Sequence, residues 1–198
     1  MDFFNSAYKG TPPWDIGRPQ KEFIELVRRG EITGSVLDIG CGTGEHALFF
    51  AQEGHEVWGI DSAPLAIGKA KEKAARRGLP VHFQVLDALE LSRLNRKFDT
   101  ATDSGLFHTL SDEDRPIFVD NLAAILAPGG KYFMLCFSDQ EPAGYGPRRI
   151  SEKEIRDSFR DGWVINYIRA ATFESRTRPE GPHAWLSSIS FLGLKDQG

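Results

Sequence analysis

The chain has 198 residues, of which 24 are Lys or Arg and 28 are Asp or Glu, giving a net charge of -4 at pH 7. That balance offers no basic face for a phosphate backbone, so nucleic acid is excluded as an expected partner. The length and a hydrophobic content of 40% suit one domain spanning 1–198, with a core of its own.

In chain order, Gly10 to Pro19 (Gly-Thr-Pro-Pro-Trp-Asp-Ile-Gly-Arg-Pro) is too rich in Pro and Gly for a helix or a central strand. It is also too aromatic for a plain disordered tail. Residues 1–20 therefore suit a lid segment, with Trp14 as its apolar cover, Arg18 free for a carboxylate, and Tyr8 turned toward the same pocket. Lys21 to Arg29 carries apolar residues at partly helical spacing, and Gly30 supplies a stop. Val36 to Ile39 is a short strand and Glu45 to Gln52 a helix ended by Gly54. Val57 to Ile60 is a second strand closing on Asp61; Ser62 can then N-cap a helix with Pro64 in its first turn and Gly78 at its end.

Val81 to Leu86 alternates as a third strand ending at Asp87, and Phe98 to Asp103 gives a fourth. Ser111-Asp112-Glu113-Asp114 resembles a capping box ahead of a helix over Ile117 to Leu126, which Pro128-Gly129-Gly130 breaks. Tyr132 to Phe137 is a buried fifth strand, and Ser151-x-x-Glu154 caps a short helix. Trp163 to Phe173 and Ala184 to Leu194 are two strand-like runs joined without a helix, which implies an antiparallel hairpin at the sheet edge. The pattern predicts an open, doubly wound, mostly parallel α/β sheet with helices on both faces.

Two cysteines, Cys41 and Cys136, make no disulfide framework, and both suit small or core positions. No His/Cys cluster has metal-ligand spacing, so no metal is expected. Met1 to Asn5 lacks the basic region and apolar core of a signal peptide, and no apolar run is long enough to span a membrane, so a cytoplasmic protein is expected.

The most informative stretch is Val36-Leu37-Asp38-Ile39-Gly40-Cys41-Gly42-Thr43-Gly44. A strand, a glycine turn and a helix N-terminus form a cradle for a nucleotide-type ligand, because glycine lets the ligand approach the backbone. The G-x-G-x-G spacing differs from the dinucleotide G-x-G-x-x-G. Asp38, two residues before the first glycine, would repel a pyrophosphate and attract an ammonium or sulfonium. The stretch resembles motif I of the class I S-adenosylmethionine (SAM) dependent methyltransferases, whose sheet has seven strands with the last antiparallel; the strand count here is similar.

Four acids, Asp38, Asp61, Asp87 and Asp103, fall near strand ends, where open α/β sheets bind ligands. Asp61, 17 positions after Gly44, can accept both ribose hydroxyls, with Ser62 beside it. The resemblance further implies that Asp87 meets the adenine amino group, with the backbone N–H of Ala88 offered to the ring. Asp38 would act on the methionyl ammonium or bond the glycine-turn amides, and Asp103 and Ser104 would lie beside the methionyl end. Gly40, Gly42 and Gly44 complete the cofactor set.

After the fourth strand comes Asp103-Ser104-Gly105-Leu106-Phe107-His108, which in this family lines the acceptor pocket. His108 is the candidate general base, against the alternative of a histidine bonding a backbone carbonyl. The loop lacks the N/D-P-P-Y/F motif of amino methyltransferases. The Trp14-Asp15-x-Gly17-x-Pro19 segment resembles the lead segment of thiol, halide and thiopurine methyltransferases and of the bacterial branch that O-methylates hydroxyquinolones and reduced quinones. Phe3, Phe4, Trp14 and Phe107 suit a flat aromatic acceptor, and Tyr145 and Arg148 are candidate acceptor contacts. The expected function is methyl transfer from SAM, leaving S-adenosylhomocysteine, to oxygen or sulfur of a small aromatic or heterocyclic molecule by a monomer or homodimer. A thiol, halide or metalloid methyltransferase and a non-catalytic SAM-binding module stand as alternatives.

Overall fold

The structure is a computed structural model that describes residues 2–142, 144 and 146–193. Among these residues one sheet contains β1 (Val36–Ile39), β2 (Val57–Asp61), β3 (Val81–Val85), β4 (Phe98–Ser104), β5 (Leu126–Phe137), β6 (Trp163–Thr172) and β7 (His183–Phe191). Its order is β3-β2-β1-β4-β5-β7-β6. β1 pairs in parallel with both β2 and β4, while β7 runs antiparallel to β5 and β6. The chain leaves β1 toward β2 and β3, then crosses back to β4, so the switch point lies between β1 and β4. At such a point the connections part to opposite faces and leave a crevice at the strand carboxyl ends.

The helices are α1 (Asp2–Ala7), α2 (Lys21–Arg28), α3 (Glu45–Gln52), α4 (Pro64–Arg77), α5 (Asp114–Ile125) and α6 (Glu152–Ser158). On one face of the sheet, Phe23, Leu26, Ala47, Phe50, Ile67 and Ala70 from α2, α3 and α4 pack on Val36, Val57, Phe133 and Leu135. On the other face, Phe118, Leu122, Ile125 and Ile155 from α5 and α6 pack on Leu37, Ile39, Tyr132 and Met134. Covering on both faces explains why β1 is buried along its whole length and lacks polar alternation. Cys136 lies in this core, as expected, and no helix of the described residues is long and apolar enough to cross a membrane.

Three local expectations are corrected. Ser62 does not cap α4: the N-cap is Ala63, and the Asp61 carboxylate takes the Ala63 N–H at 2.8 Å. β5 begins at Leu126, ahead of the Pro-Gly-Gly break; Leu126 pairs with Phe98 and Lys131 with Thr100, so the intervening residues form an irregularity within the ladder. α1 was not expected; the Asn5 side chain accepts the N–H of Leu65, which docks it on α4. At α6 the expected capping box is present in full, between Ser151 and Glu154.

Gly59 of β2 shows why one small residue is required in an otherwise bulky strand. It pairs with Phe83 of β3, whose ring lies over it. A methyl group at Gly59 would come 2.6 Å from the Phe83 ring and 3.1 Å from the Cys41 sulfur. Gly59→Ala should therefore destabilise the fold by about 1–3 kcal/mol through overpacking, read as a lower urea midpoint with an unchanged slope.

Candidate active site

The glycine turn follows β1 and is tied to the carboxyl end of β2. Gly40, Gly42 and Gly44 all have positive φ (66°, 53° and 85°), which favours glycine over any residue with a Cβ. The turn is closed by Gly44 N–H to the Cys41 carbonyl at 2.9 Å and tied to β2 by Cys41 N–H to the Ile60 carbonyl at 2.8 Å. Gly44 then heads α3. A Cβ on Gly42 would lie 2.8 Å from the Tyr8 hydroxyl, so the turn is a cradle that one methyl group would fill.

Each acid at a strand end has a distinct environment. Asp38 is buried; its Oδ1 accepts from the Thr102 hydroxyl at 2.9 Å, and its Oδ2 is buried without a partner. Burial pushes its carboxyl up to about 7. An orphaned carboxylate oxygen under a glycine cradle is what a cationic ligand group would neutralise. Asp61 accepts from Gly42 N–H at 2.9 Å and from Ala63 N–H at 2.8 Å, so one side chain holds both the turn and the start of α4. Burial raises its carboxyl, and the two N–H bonds oppose the rise. Asp87 accepts from Leu89 N–H at 2.9 Å, capping the 3-10 segment Ala88–Leu94. This set of carboxylate acceptors fits a nucleoside joined to an ammonium-bearing chain.

Asp103 departs from expectation. Its carboxylate accepts from Leu106 N–H at 2.7 Å, Phe107 N–H at 2.9 Å and the Tyr132 hydroxyl at 2.9 Å. It fastens its own turn and is not presented to a ligand, whereas its neighbour Ser104 lines the cavity. Phe107 is corrected likewise: it is fully buried, stacked 6.0 Å from Phe159 and under the Arg115 guanidinium. Arg148 lies elsewhere, paired with Asp112 at 2.6 Å and Glu154 at 2.5 Å in a groove beside α5 and α6. Tyr145 falls outside the described residues.

The N-terminal segment covers the cradle. Tyr8 is buried, and the Trp14 indole N–H donates to its hydroxyl at 3.0 Å. Thr43 of the glycine turn donates to Asp15 at 3.0 Å and accepts from Lys73 at 2.6 Å. Arg18 is not free for a ligand carboxylate: it forms a two-pronged pair with Glu174 at 2.8 and 3.0 Å. Glu174 also takes Lys21 N–H, while the Gln20 side chain bonds both the N–H and the carbonyl of Glu174. Between segment and turn remains a cavity of about 60 Å³. That is well below the roughly 300–1,000 Å³ of ligand pockets, so the segment as it stands fills much of the cradle.

His108 sits on the 3-10 turn Phe107–Thr109 with Phe137 (ring centres 5.0 Å) and Phe173 (6.2 Å). Its Nδ1 accepts the Phe137 N–H at 3.0 Å. The expected alternative is corrected in sense: among the described residues the imidazole meets backbone as an acceptor, from the Phe137 N–H. His46 on α3, not anticipated from sequence, accepts Gln20 N–H through Nε2 at 3.0 Å. Thr43, Lys73, Gln20, Phe173 and Glu174 were also missed. Thr43 alone carried a local signal, as the one hydroxyl inside the glycine turn.

Burial pushes the His46 imidazole down to about 4. Burial, with a smaller effect from Arg149, pushes His108 down to about 3. Unfolded, both protonate near 6.5, so the unfolded chain binds more protons below that pH and these histidines cost stability as pH falls from 6.5. Asp38 and Asp103, raised to about 7 and about 6, do the reverse, since their folded forms protonate first. His108→Gln removes one proton from the unfolded side of the balance. Urea unfolding of this variant between pH 4.5 and 6.5 should show a slope of stability against pH lower by roughly 1 kcal/mol per pH unit than in the parent.

A family model described as a methyltransferase domain matches residues 36–130. Over 182 residues, 86% of this chain and 80% of the relative, the sequence is 38% identical to the 2-heptyl-1-hydroxyquinolin-4(1H)-one methyltransferase of Mycobacteroides abscessus. It is 29% identical over 147 residues, 73% of this chain and 65% of the relative, to a probable thiol methyltransferase 2 of Arabidopsis thaliana. A structure solved for the conversion of a disulfide bond into a thioacetal group during echinomycin biosynthesis superposes with a TM-score of 0.88 at 34% identity, covering 95% of this chain and 91% of that one. With the 3-2-1-4-5-7-6 sheet, the glycine cradle and the acids at its strand ends, these likenesses show that the chain belongs to the class I SAM-dependent methyltransferases that act on small molecules.

Proposed function

We propose that the chain, as a single domain over 1–198, methylates a hydroxyl oxygen on a small, flat aromatic or heterocyclic acceptor. The observation that carries this reading is the wall formed by His108, Phe137 and Phe173. It stands against Gly105, one residue beyond the cavity-lining Ser104; a Cβ there would come 3.0 Å from Phe173 and 3.5 Å from His108. Aromatic rings in such edge-to-face sets receive a further flat ring well. The 38% identity to a hydroxyquinolone methyltransferase supports the same acceptor class. The reading places the enzyme in the cytoplasm with a small-molecule acceptor and no nucleic-acid or membrane partner, as a monomer or homodimer.

SAM supplies a methyl group already activated on a sulfonium. The protein's work is to hold, orient and exclude water. Asp61 is assigned the ribose hydroxyls, Asp87 and the N–H of Ala88 the adenine edge, and the orphaned oxygen of Asp38 the methionyl ammonium. Gly40, Gly42 and Gly44 give room, and Tyr8 and Trp14 close over the site. A second reading, transfer to sulfur, draws on the similarity to the thioacetal-forming structure and to the plant thiol methyltransferase.

Two outcomes are expected. Asp61→Ala should weaken SAM binding about 10- to 100-fold by calorimetry, the loss of one or two hydrogen bonds to a charged acceptor, in a chain whose circular dichroism is unchanged. Turnover to S-adenosylhomocysteine should be found with N-hydroxy-heterocyclic acceptors and be absent with iodide. Turnover with thiols alone would replace the oxygen reading by the sulfur one.

A further inference from the structure

A hydroxyl acceptor must lose its proton, and the sequence pointed to His108 as the group that takes it. The geometry argues otherwise. A neutral imidazole has one nitrogen lone pair able to accept a proton, and in His108 that lone pair, on Nδ1, is engaged by the Phe137 N–H at 3.0 Å. The ring proton is therefore on Nε2, and the edge available to a neighbour is a donor. His46, the other histidine of the site, is engaged in the same way by Gln20 N–H. The surroundings of His108 also oppose protonation: Phe137, Phe173 and the Gly105 backbone pack against it and bury it away from water, and the cationic Arg149 acts on it as well.

The carboxylates at this end of the sheet are also engaged. Asp15 accepts from Thr43, Asp61 from two backbone N–H groups, Asp103 from three donors, and Glu174 from Arg18 and Lys21. Asp38 keeps one unpartnered oxygen, but it lies under the glycine turn on β1, where the proposed function needs it for the ammonium.

We infer that the enzyme takes its acceptor already ionised, the oxyanion of a compound whose own O–H is acidic, such as an N-hydroxy-heterocycle or an enolic ring, with His108 serving as a neutral hydrogen-bond donor. This rests on the oxygen-acceptor reading above. The proton leaves to water before binding. An oxygen lone pair then forms the new O–CH3 bond as the S–CH3 bond breaks, its electrons returning to sulfur, so a cation and an anion become two neutral products. No enzyme group changes protonation in the step. Specificity follows: simple phenols, which ionise near pH 10, are poor acceptors at neutral pH whatever their shape.

The test uses the full chain and a ring-substituted series of N-hydroxy-heterocycles whose own pKa values span about three units. In the parent enzyme the inflection of kcat/KM against pH should move one-for-one with the acceptor pKa. His108→Gln, whose amide can accept from Phe137 N–H and donate an N–H but cannot take a proton, should keep activity within about tenfold and the same inflections. Loss of a general base would instead cost about 10²–10⁴-fold. Independently of turnover, 15N NMR of the imidazoles, with His108 assigned by comparison with the Gln variant, should show a bare Nδ1 and a protonated Nε2 down to about pH 5.

An inflection that stays fixed across the series, a His108→Gln loss of 100-fold or more, or a proton on Nδ1 would each overturn the inference. Failure of the oxygen reading has a separate signature, S-methylated product by mass spectrometry. The same pH analysis on a thiol series would then judge whether the acceptor arrives ionised.

Discussion

The turn after β4 depends on how one buried carboxylate is satisfied. Asp103 ends β4 in a fully buried position, where an uncompensated charge would be costly. Its requirement for donors draws the next residues into a tight turn, taking Leu106 and Phe107 N–H groups and the Tyr132 hydroxyl. That turn drives Phe107 inward onto Phe118 and Phe159 and leaves His108 against Phe137. The aromatic wall is thus fixed from beneath, by a residue that need not touch a ligand. Asp61 plays the matching part on the cofactor side, bonding the glycine turn through Gly42 and α4 through Ala63. In both cases a strand-end acid organises backbone, and chemistry is laid over that order.

Such an arrangement suits a reaction with an already activated electrophile. Methyl transfer from a sulfonium asks for alignment and exclusion of water more than for proton traffic. The buried imidazoles of His46 and His108 remain neutral near physiological pH and spend their lone pairs on backbone N–H groups. The site groups that titrate nearest that range are carboxyls, Asp38 and Asp103, which burial raises to about 7 and about 6.

Much of the scaffold was legible in the sequence because it is encoded locally. Glycine spacing marks the cradle, apolar runs ending on acids mark β1 to β4, and the helix-free tail marks the β6–β7 hairpin. Side-chain direction was less legible. Phe107 and His108 are adjacent in a turn where neither the strand nor the helix period applies, so sequence could not tell which points inward. Arg18 was assigned to a ligand because its partner, Glu174, is 156 residues away and no local pattern announces the pair. Ser62 carries the composition of an N-cap, yet Asp61 one residue earlier supplies the bond to Ala63 N–H. Long-range pairing decided the Arg18 case, whereas Ser62, Phe107 and His108 were decided by short-range bonds from Asp61 and Asp103 whose direction local propensity does not specify.

The clasp between Gln20, Arg18 and Glu174 also bears on how the protein is made. The N-terminal segment is made before its anchor Glu174, which lies 154 residues after Gln20, just past the end of β6. At 5–20 residues per second, about 8–30 s pass before that anchor exists. Until then Trp14, Tyr8 and the exposed Phe3 and Phe4 have no clasp to hold them over the sheet. The cradle on β1 and the contacts of Asn5, Tyr8 and Asp15 with α4 and the glycine turn involve early residues, whereas the clasp to Glu174 must wait for β6. A chain stopped short of Glu174 would carry the cradle with this clasp unmade.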